Sequence, residues 1–357
     1  MKVFQIITSL DLGGAERVAI NIAKSNNYKY FIIEVVKSKG NFTNALLKEI
    51  QENNIQVYRS PISNKKLSII PFPFWFLFSY IKNKPDIIHT HTEIPDLALW
   101  IFRKIAWICF WIHPRYIRTI HNTELWNDWK EIGKIVERYY LKHHCNVAIS
   151  TSTQESYVRD YGGEAPPIIY NGLKEVPQKE FPYLKPDKIN ILFAGRLEYQ
   201  KGVDELIAVV TALKEDKRFF FHIVGDGSMK EKLYEATRNL SNVATYPKVY
   251  GLSSYIGSFK FLFMPSNFEG LGLLSVEASL AHTPTIINKC TGLIETLPED
   301  WELSVQNNSV KDFIQLFTHI QEYNYSDLCD KAYQFAVSLF SIEKMQQAYE
   351  RMYEQPN

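Results

Sequence analysis

Short, nearly continuous apolar runs recur along this chain, each passing through a glycine or polar turn into a stretch of helical periodicity. Residues 3–8 read as a strand, and 14–25 as a helix whose Val18, Ala19 and Ile22 share one face. Strand-like runs follow at 30–36, 55–58, Asp86-Ile87-Ile88-His89, 116–120 and Val147-Ala148-Ile149-Ser150. The last of these leads into Thr151-Ser152-Thr153, a helix-start signal. The second half repeats the plan. Strands are expected at 189–194, 219–224, 259–264 and Pro284-Thr285-Ile286-Ile287, with helices at 203–214, 228–239 and 273–281 between them. Alternation of this kind, with strands apolar on both faces, implies a parallel sheet covered by helices on both sides. Two such halves imply an α/β protein of two Rossmann-like domains, and 357 residues suffice for two full cores.

The expected boundary lies after Gly172. Residues 1–172 form the first domain, and 173–186 a linker with three prolines and mixed charge. Residues 187–340 are expected to form the second domain, and 341–357 a final helix. A hydrophobic content of 46% with 22% charged residues excludes a disordered chain. Cys109, Cys145, Cys290 and Cys329 show no CxxC spacing, so reduced cytosolic thiols are expected, not a disulfide frame or zinc site. The start of the chain lacks the pattern of a signal peptide, and a cytoplasmic location is expected. Net charge is +1 but unevenly spread: residues 1–172 carry 21 basic against 15 acidic side chains, the remainder 19 against 24. A basic first half suits an anionic surface, whereas nothing points to nucleic acid.

Chemistry concentrates in Pro265-Ser266-Asn267-Phe268-Glu269-Gly270-Leu271-Gly272-Leu273-Leu274-Ser275-Val276-Glu277-Ala278. A strand ending at Pro265 gives way to a glycine-bearing turn and a helix from about Leu273. That arrangement aims backbone N–H groups and a helix dipole at an anion. Glu269 before the turn and Glu277 within the helix can hold hydroxyls on either side. Phosphate beside a polyol means a nucleotide sugar. Arg196 and Lys201 follow a strand, where an open α/β sheet binds its ligand, and two cations there would neutralise a diphosphate. Gly13 and Gly14 let backbone approach a ligand where the first strand turns into a helix. His121 ends a strand of the first domain. His89 and His91 are expected to point to opposite faces of their strand and so not to share a metal. No DxD pair follows a strand, so no metal is expected to bridge the diphosphate. The absence of GxGxxG after the first strand counts against a nicotinamide dehydrogenase.

Taken in order, these landmarks resemble the GT4 (family 4) glycosyltransferases, which have the GT-B fold. The resemblance is carried by Leu12-Gly13-Gly14-Ala15-Glu16-Arg17, Asp86-Ile87-Ile88-His89-Thr90-His91, Thr119-Ile120-His121-Asn122 and Tyr170-Asn171-Gly172. It continues through Phe193-Ala194-Gly195-Arg196-Leu197, Gln200-Lys201-Gly202, Val224-Gly225-Asp226-Gly227 and the Glu269/Glu277 stretch, spanning roughly residues 1–300. The resemblance implies a retaining hexosyl- or N-acetylhexosaminyltransferase whose two domains face an interdomain cleft and whose final helix over 341–357 crosses back onto the first domain. It implies a catalytic set of His121, Arg196, Lys201 and Glu269. Donor binding falls to Gly13, Gly14, Arg196, Lys201, Glu269, Gly270, Leu271, Gly272, Leu273 and Glu277. Glu269 would hold donor-sugar hydroxyls, Glu277 the ribose, and backbone N–H groups from Gly270 to Leu273 the phosphates. UDP is the expected donor nucleotide, with GDP the alternative, and no metal cofactor is implied. The first domain would receive a saccharide or lipid-linked saccharide acceptor of bacterial surface polysaccharide or glycolipid synthesis. Competing readings are a nucleotide-sugar epimerase or hydrolase of the same fold, and a non-catalytic nucleotide-sugar-binding protein. The sequence departs from the family pattern at Lys174, where an acidic residue is usual. It departs again at Cys290-Thr291-Gly292-Leu293-Ile294-Glu295, a reduced form of a glycine-rich segment.

Two aromatic segments stand in the first half: Pro71 to Ile81, and Leu97 through Trp100, Arg103, Lys104, Trp107 and Trp111 to Arg115. Neither is an uninterrupted apolar span of about 20 residues. Trp beside Arg and Lys suits a helix lying in a membrane interface, so peripheral contact with anionic membrane is expected of this half.

Overall fold

The computed structural model describes residues 1–11, 13–105, 114–127 and 129–355. They form two compact units, Met1–Gly172 with Ile342–Asn357, and Leu173–Ser341. Among the described residues of the first unit are strands β1 (Lys2–Ile7), β2 (Lys29–Glu34), β3 (Gln56–Arg59), β4 (Ile87–His91), β5 (Arg115–Ile120) and β6 (Asn146–Ala148). They alternate with helices α1 (Gly14–Ala23), α2 (Thr43–Glu52), α3 (Phe72–Asn83), α4 (Glu93–Ile105), α5 (Lys130–Lys142) and α6 (Thr151–Tyr161). The sheet runs β3-β2-β1-β4-β5-β6 and is parallel throughout. Strands covered on both faces should be apolar throughout. Val3 to Ile7 and Tyr30 to Ile33 are indeed all buried.

The second unit contains β7 (Ile189–Arg196), β8 (Phe219–Asp226), β9 (Val243–Tyr246), β10 (Phe261–Met264), β11 (Thr285–Asn288) and β12 (Ser304–Val305). Its helices are α7 (Val203–Ala212), α8 (Lys230–Thr237), α9 (Leu273–Leu280), α10 (Val310–Thr318) and α11 (Tyr325–Leu339). The order β12-β11-β10-β7-β8-β9 repeats that of the first unit when counted from each unit's own first strand. Winding therefore reverses between β1 and β4 in one unit and between β7 and β10 in the other. The carboxyl ends of those strand pairs are where doubly wound sheets open a ligand crevice. The edge strands β9 and β12 are absent from the sequence-based expectation. β9 (Val243-Ala244-Thr245-Tyr246) is interrupted by a threonine and β12 is only two residues long, so neither carries the continuous apolar run that marks β10.

Residues 173–186 pack with the second unit. Phe181 is 3% exposed, and its ring meets those of His222, Tyr246 and Phe259. After Ser341 the chain re-enters the first unit as α12 (Ile342–Glu354), which packs beside α1 and buries Met345, Tyr349 and Tyr353. Gln346 Nε2 donates to the Asn21 carbonyl, 2.7 Å away.

A buried ion cluster ties α4 and α5 to β5. Arg118 Nε donates to Asp96 Oδ2 at 2.6 Å, and its terminal nitrogens grip both oxygens of Glu137 at 2.6 and 2.7 Å. Two carboxylates hold the guanidinium charged against the cost of burial. Cys145, Cys290 and Cys329 are free thiols, while Cys109, Trp107 and Trp111 lie outside the described residues. Among the described residues no helix is long and apolar enough to cross a membrane.

Candidate active site

Parallel β7 and β10 are neighbours, so the loops after their carboxyl ends meet although about 70 residues separate them in sequence. Arg196 ends β7 and Lys201 lies on the loop after it, while the β10 loop bears Glu269. Lys201 Nζ lies 2.6 Å from Glu269 Oε1, and Ser266 Oγ donates to the same oxygen from 2.8 Å. Arg196 is exposed, and one of its terminal nitrogens donates to Gln200 Oε1 at 2.6 Å. The structure thus couples Lys201 to Glu269 and leaves Arg196 facing outward at the end of β7.

The β10 loop is fastened by its backbone. Asn308 Nδ2 donates to the Pro265 carbonyl at 2.7 Å, Asn288 Nδ2 to that of Ser266 at 2.8 Å, and Gln200 Nε2 to that of Phe268 at 3.2 Å. The Asn267 N–H reaches the Gln200 carbonyl, and the Glu269 N–H that of Thr291. Gly202 caps α7 with φ +69°, and a Cβ there would fall 1.7 Å from the Pro265 carbonyl oxygen. Gly292 (φ +74°) presses against Glu269 from behind, where a Cβ would meet the Glu269 carbonyl oxygen at 2.3 Å. Ser266, Gln200, Asn288 and Asn308 went unassigned as site residues in the sequence, because ordinary polar side chains carry no spacing signal.

Gly272 caps α9 and brings no side chain to the helix start, and the Ser275 N–H donates to the Gly272 carbonyl at 2.8 Å. The Leu273 N–H donates to the Leu271 carbonyl at 2.6 Å, so that donor of the expected phosphate cradle is engaged within its own turn. Gly270 and Leu271 complete the turn, and Glu277 is half-buried one helical turn past Leu273. Asp226 Oδ1 accepts from the Gly227 N–H at 3.0 Å, a turn-forming role. Glu198 accepts from the Ser228 N–H and hydroxyl.

In the first unit, Gly13 and Gly14 open α1 just past β1. The space beside Gly13 holds a carboxylate of the chain itself: a Cβ on Gly13 would stand 2.1 Å from Glu16 Oε2. Burial pushes the Glu16 carboxyl up to about 7, with Asp11 adding to the rise.

His89 and His91 do not point to opposite faces. Residues two apart on a strand share a face, and the two ring centroids lie 4.2 Å apart. Both belong to one buried hydrogen-bonded system with His121. Gln5 Nε2 donates to Tyr353 Oη at 3.0 Å, and Tyr353 Oη lies 2.8 Å from His89 Nδ1. His89 Nε2 meets Thr119 Oγ1 at 2.7 Å, and Thr119 Oγ1 meets Tyr349 Oη at 2.8 Å. The other branch runs from Gln5 Oε1 to His91 Nε2 at 2.7 Å, and from His91 Nδ1 to His121 Nε2 at 3.0 Å.

Direction along that branch follows from donor and acceptor capacity. An amide oxygen only accepts, so His91 Nε2 carries the proton and neutral His91 accepts at Nδ1. His121 Nε2 must then donate, which leaves the lone pair of His121 Nδ1 without a partner among the described residues. Burial pushes His121 down to about 3 and holds His89 and His91 far below their ordinary value, so all three are neutral near pH 7. His121 therefore offers an acceptor that could take a hydrogen bond from a ligand hydroxyl. Among the described residues no group of three or more His, Cys, Asp or Glu side chains could hold a metal ion.

Two family models match the chain in tandem, "Glycosyltransferase Family 4" over residues 12–175 and "Glycosyl transferases group 1" over residues 176–334. An uncharacterized 41.2 kDa protein in the cps region of Klebsiella pneumoniae is 28% identical over 257 residues, covering 66% of this chain and 70% of that one. The O-antigen biosynthesis glycosyltransferase WclY of Escherichia coli is 23% identical over 289 residues, 75% of this chain and 78% of that one. Among solved structures, Anabaena Alr3699/HepE in complex with UDP and glucose superposes with a TM-score of 0.78 at 16% identity, covering 99% of both chains. That likeness places the two parallel α/β units in the GT-B fold class. The tandem models assign the activity: the chain belongs to the family 4 (group 1) glycosyltransferases and is a glycosyltransferase.

Proposed function

We propose that this enzyme transfers a hexosyl or N-acetylhexosaminyl group from a UDP-sugar to a saccharide or lipid-linked saccharide, with retention at the anomeric carbon, in bacterial surface polysaccharide or glycolipid synthesis. The observation that carries the donor side is the meeting of Lys201, Glu269 and the start of α9 at the β7/β10 switch point, with Arg196 beside them. Arg196 and Lys201 would stabilise the diphosphate as its charge grows on departure of the sugar. Glu269, held in one orientation by Lys201 and Ser266, would fix donor hydroxyls, and Glu277 the ribose. Gly13 and Gly14 would border the donor, and His121 would accept from a hydroxyl of the transferred sugar. UDP as the nucleotide is supported by the relative of the same fold that binds UDP and glucose. The acceptor class is supported by the O-antigen and cps-region relatives. Transfer needs no metal in this reading, because the two cations and the helix start supply the positive field at the diphosphate.

The test is a thermal-shift panel of nucleotide sugars followed by analysis of product stereochemistry. A UDP-sugar should raise the melting temperature in a concentration-dependent manner, and Arg196→Ala should abolish that rise. An inverted anomer in the product, or a response confined to other bases, would sink the assignment. Free sugar as the sole product in the presence of acceptors would favour a hydrolase.

A further inference from the structure

The α3 helix is apolar on two opposite faces. One face, with Phe72, Phe76 and Tyr80, is buried in the first unit's core against α4. The other lies open: Phe74 is 69% exposed and Phe78 70%, and Ile81 follows at the next helical step. Leu67 and Ile70, exposed by 56% and 68%, extend the stripe back into the preceding turn. Exposed large apolar side chains gathered along one helix face and the turn before it, and not scattered singly, mark a binding surface.

The charges around it say what covers it. No acidic residue occurs between Glu52 and Asp86, whereas Lys65 and Lys66 stand at one end of the stripe and Lys82 and Lys84 at the other. All four lysines are exposed and none is in an ion pair among the described residues. Arg59, the remaining cation of this stretch, is engaged by Glu34. A second copy packed two-fold on this face would set lysines against lysines with no carboxylate between them, which opposes self-association. An anionic lipid surface satisfies both features at once, with aromatic rings entering the acyl boundary and lysines reaching the headgroups along their aliphatic stems.

We propose that the Leu67–Ile81 face of the first unit is a docking surface for anionic lipid membrane. It deepens the lipid-linked reading of the acceptor and rests on that reading for its purpose, though not for the binding itself. Of the second aromatic segment, Leu97, Ala98, Leu99 and Phe102 of α4 are buried, and Trp107 and Trp111 lie outside the described residues.

The experiment is co-sedimentation of the full chain with vesicles of phosphatidylglycerol mixed into phosphatidylcholine, against phosphatidylcholine alone. Binding to the anionic vesicles should be strong at low salt and weaken as salt rises. Phe74→Ser/Phe78→Ser should weaken it at least about tenfold, and each lysine neutralised should cost roughly fivefold. Because all these side chains are exposed, the variants should keep the native melting temperature and the same UDP-sugar thermal shift. A wild-type chain left in the supernatant at low salt would overturn the proposal, as would undiminished binding by the double Phe variant. A dimer dissolved by those substitutions without any vesicle binding would overturn it in favour of self-association. Vesicle binding in a protein that answers to no nucleotide sugar would support the surface while removing the donor assignment.

Discussion

At the scale of single residues, the Lys201–Glu269 pair separates stability from function. Lys201 is 19% and Glu269 7% exposed, so removing one partner strands a charge out of water. Lys201→Met should destabilise the second unit by about 3 kcal/mol, because an unpaired buried carboxylate costs more than the pair contributes. Adding Glu269→Gln should restore most of that loss in urea unfolding while leaving turnover at the level of the single variants. A double variant as unstable as Lys201→Met alone would show that the stranded Glu269 charge is not the source of the loss. The histidines give a second prediction, on pH. Their folded pKa values lie below the unfolded value of 6.5, so the unfolded chain takes up protons first as the pH falls. Their contribution is complete above about 6.5 and drains below it, at about 1.4 kcal/mol per pH unit for each ring, down to about 3 for His121. Imidazole NMR signals of the trio should therefore stay neutral from pH 7.5 to 5 as the urea midpoint of the first unit declines. A protonated His121 at pH 6 would refute the arrangement. His121 stood out in the sequence through its motif, but its tautomer did not, because Gln5 and Tyr353 come from opposite ends of the chain.

At the scale of elements, the central strands and the helices that follow them were legible because each is long and apolar enough to declare its period. The helix from Leu273 and the strand before Pro265 stand close to where the sequence puts them. What the sequence hid is how the loops between them are fixed. The Pro265–Glu269 loop is held by Asn288, Asn308 and Gln200, each on a different segment. Gly202 joins two such loops. It needs a left-handed backbone, and its missing side chain is what lets α7 approach Pro265. Gly202→Ala faces both difficulties together: left-handed backbone costs about 1–2 kcal/mol, and the clash must move either α7 or the β10 loop. The variant should lose about 2–4 kcal/mol in all and bind UDP-sugar weakly even where it stays folded. A Gly202→Ala protein with native melting temperature and native donor affinity would show that the two loops are not rigidly matched.

At the scale of the whole chain, the order of sequence and the order of structure part company at the carboxyl terminus. The first unit is completed by residues that follow the second, and no local pattern in the Ile342–Glu354 helix says which core its apolar face will enter. Its chemistry explains the outcome. Tyr349 and Tyr353 are almost wholly buried, and both hydroxyls find partners in the histidine system through Thr119, His89 and Gln5. Burial of a phenol is tolerable when its hydroxyl is bonded, and β1, β4 and β5 supply those partners. Ending the chain at Ser341 would remove Met345, Tyr349 and Tyr353 together, each a large core side chain worth roughly 2–5 kcal/mol. It would also leave His89 Nδ1 and Thr119 without their tyrosine partners. A loss of that size matches or exceeds the about 5–15 kcal/mol that holds a typical domain folded. The truncated protein should therefore show calorimetric unfolding of the second unit, still shifted upward by UDP-sugar, with no cooperative transition from the first. Tyr349→Phe/Tyr353→Phe keeps the packing and removes only the hydroxyls, so it should fold, with a smaller loss of about 1–3 kcal/mol for each group left unsatisfied. If the truncated chain melted like the intact one, α12 would be an appendage, and the histidine system would have to be organised from within residues 1–172 alone.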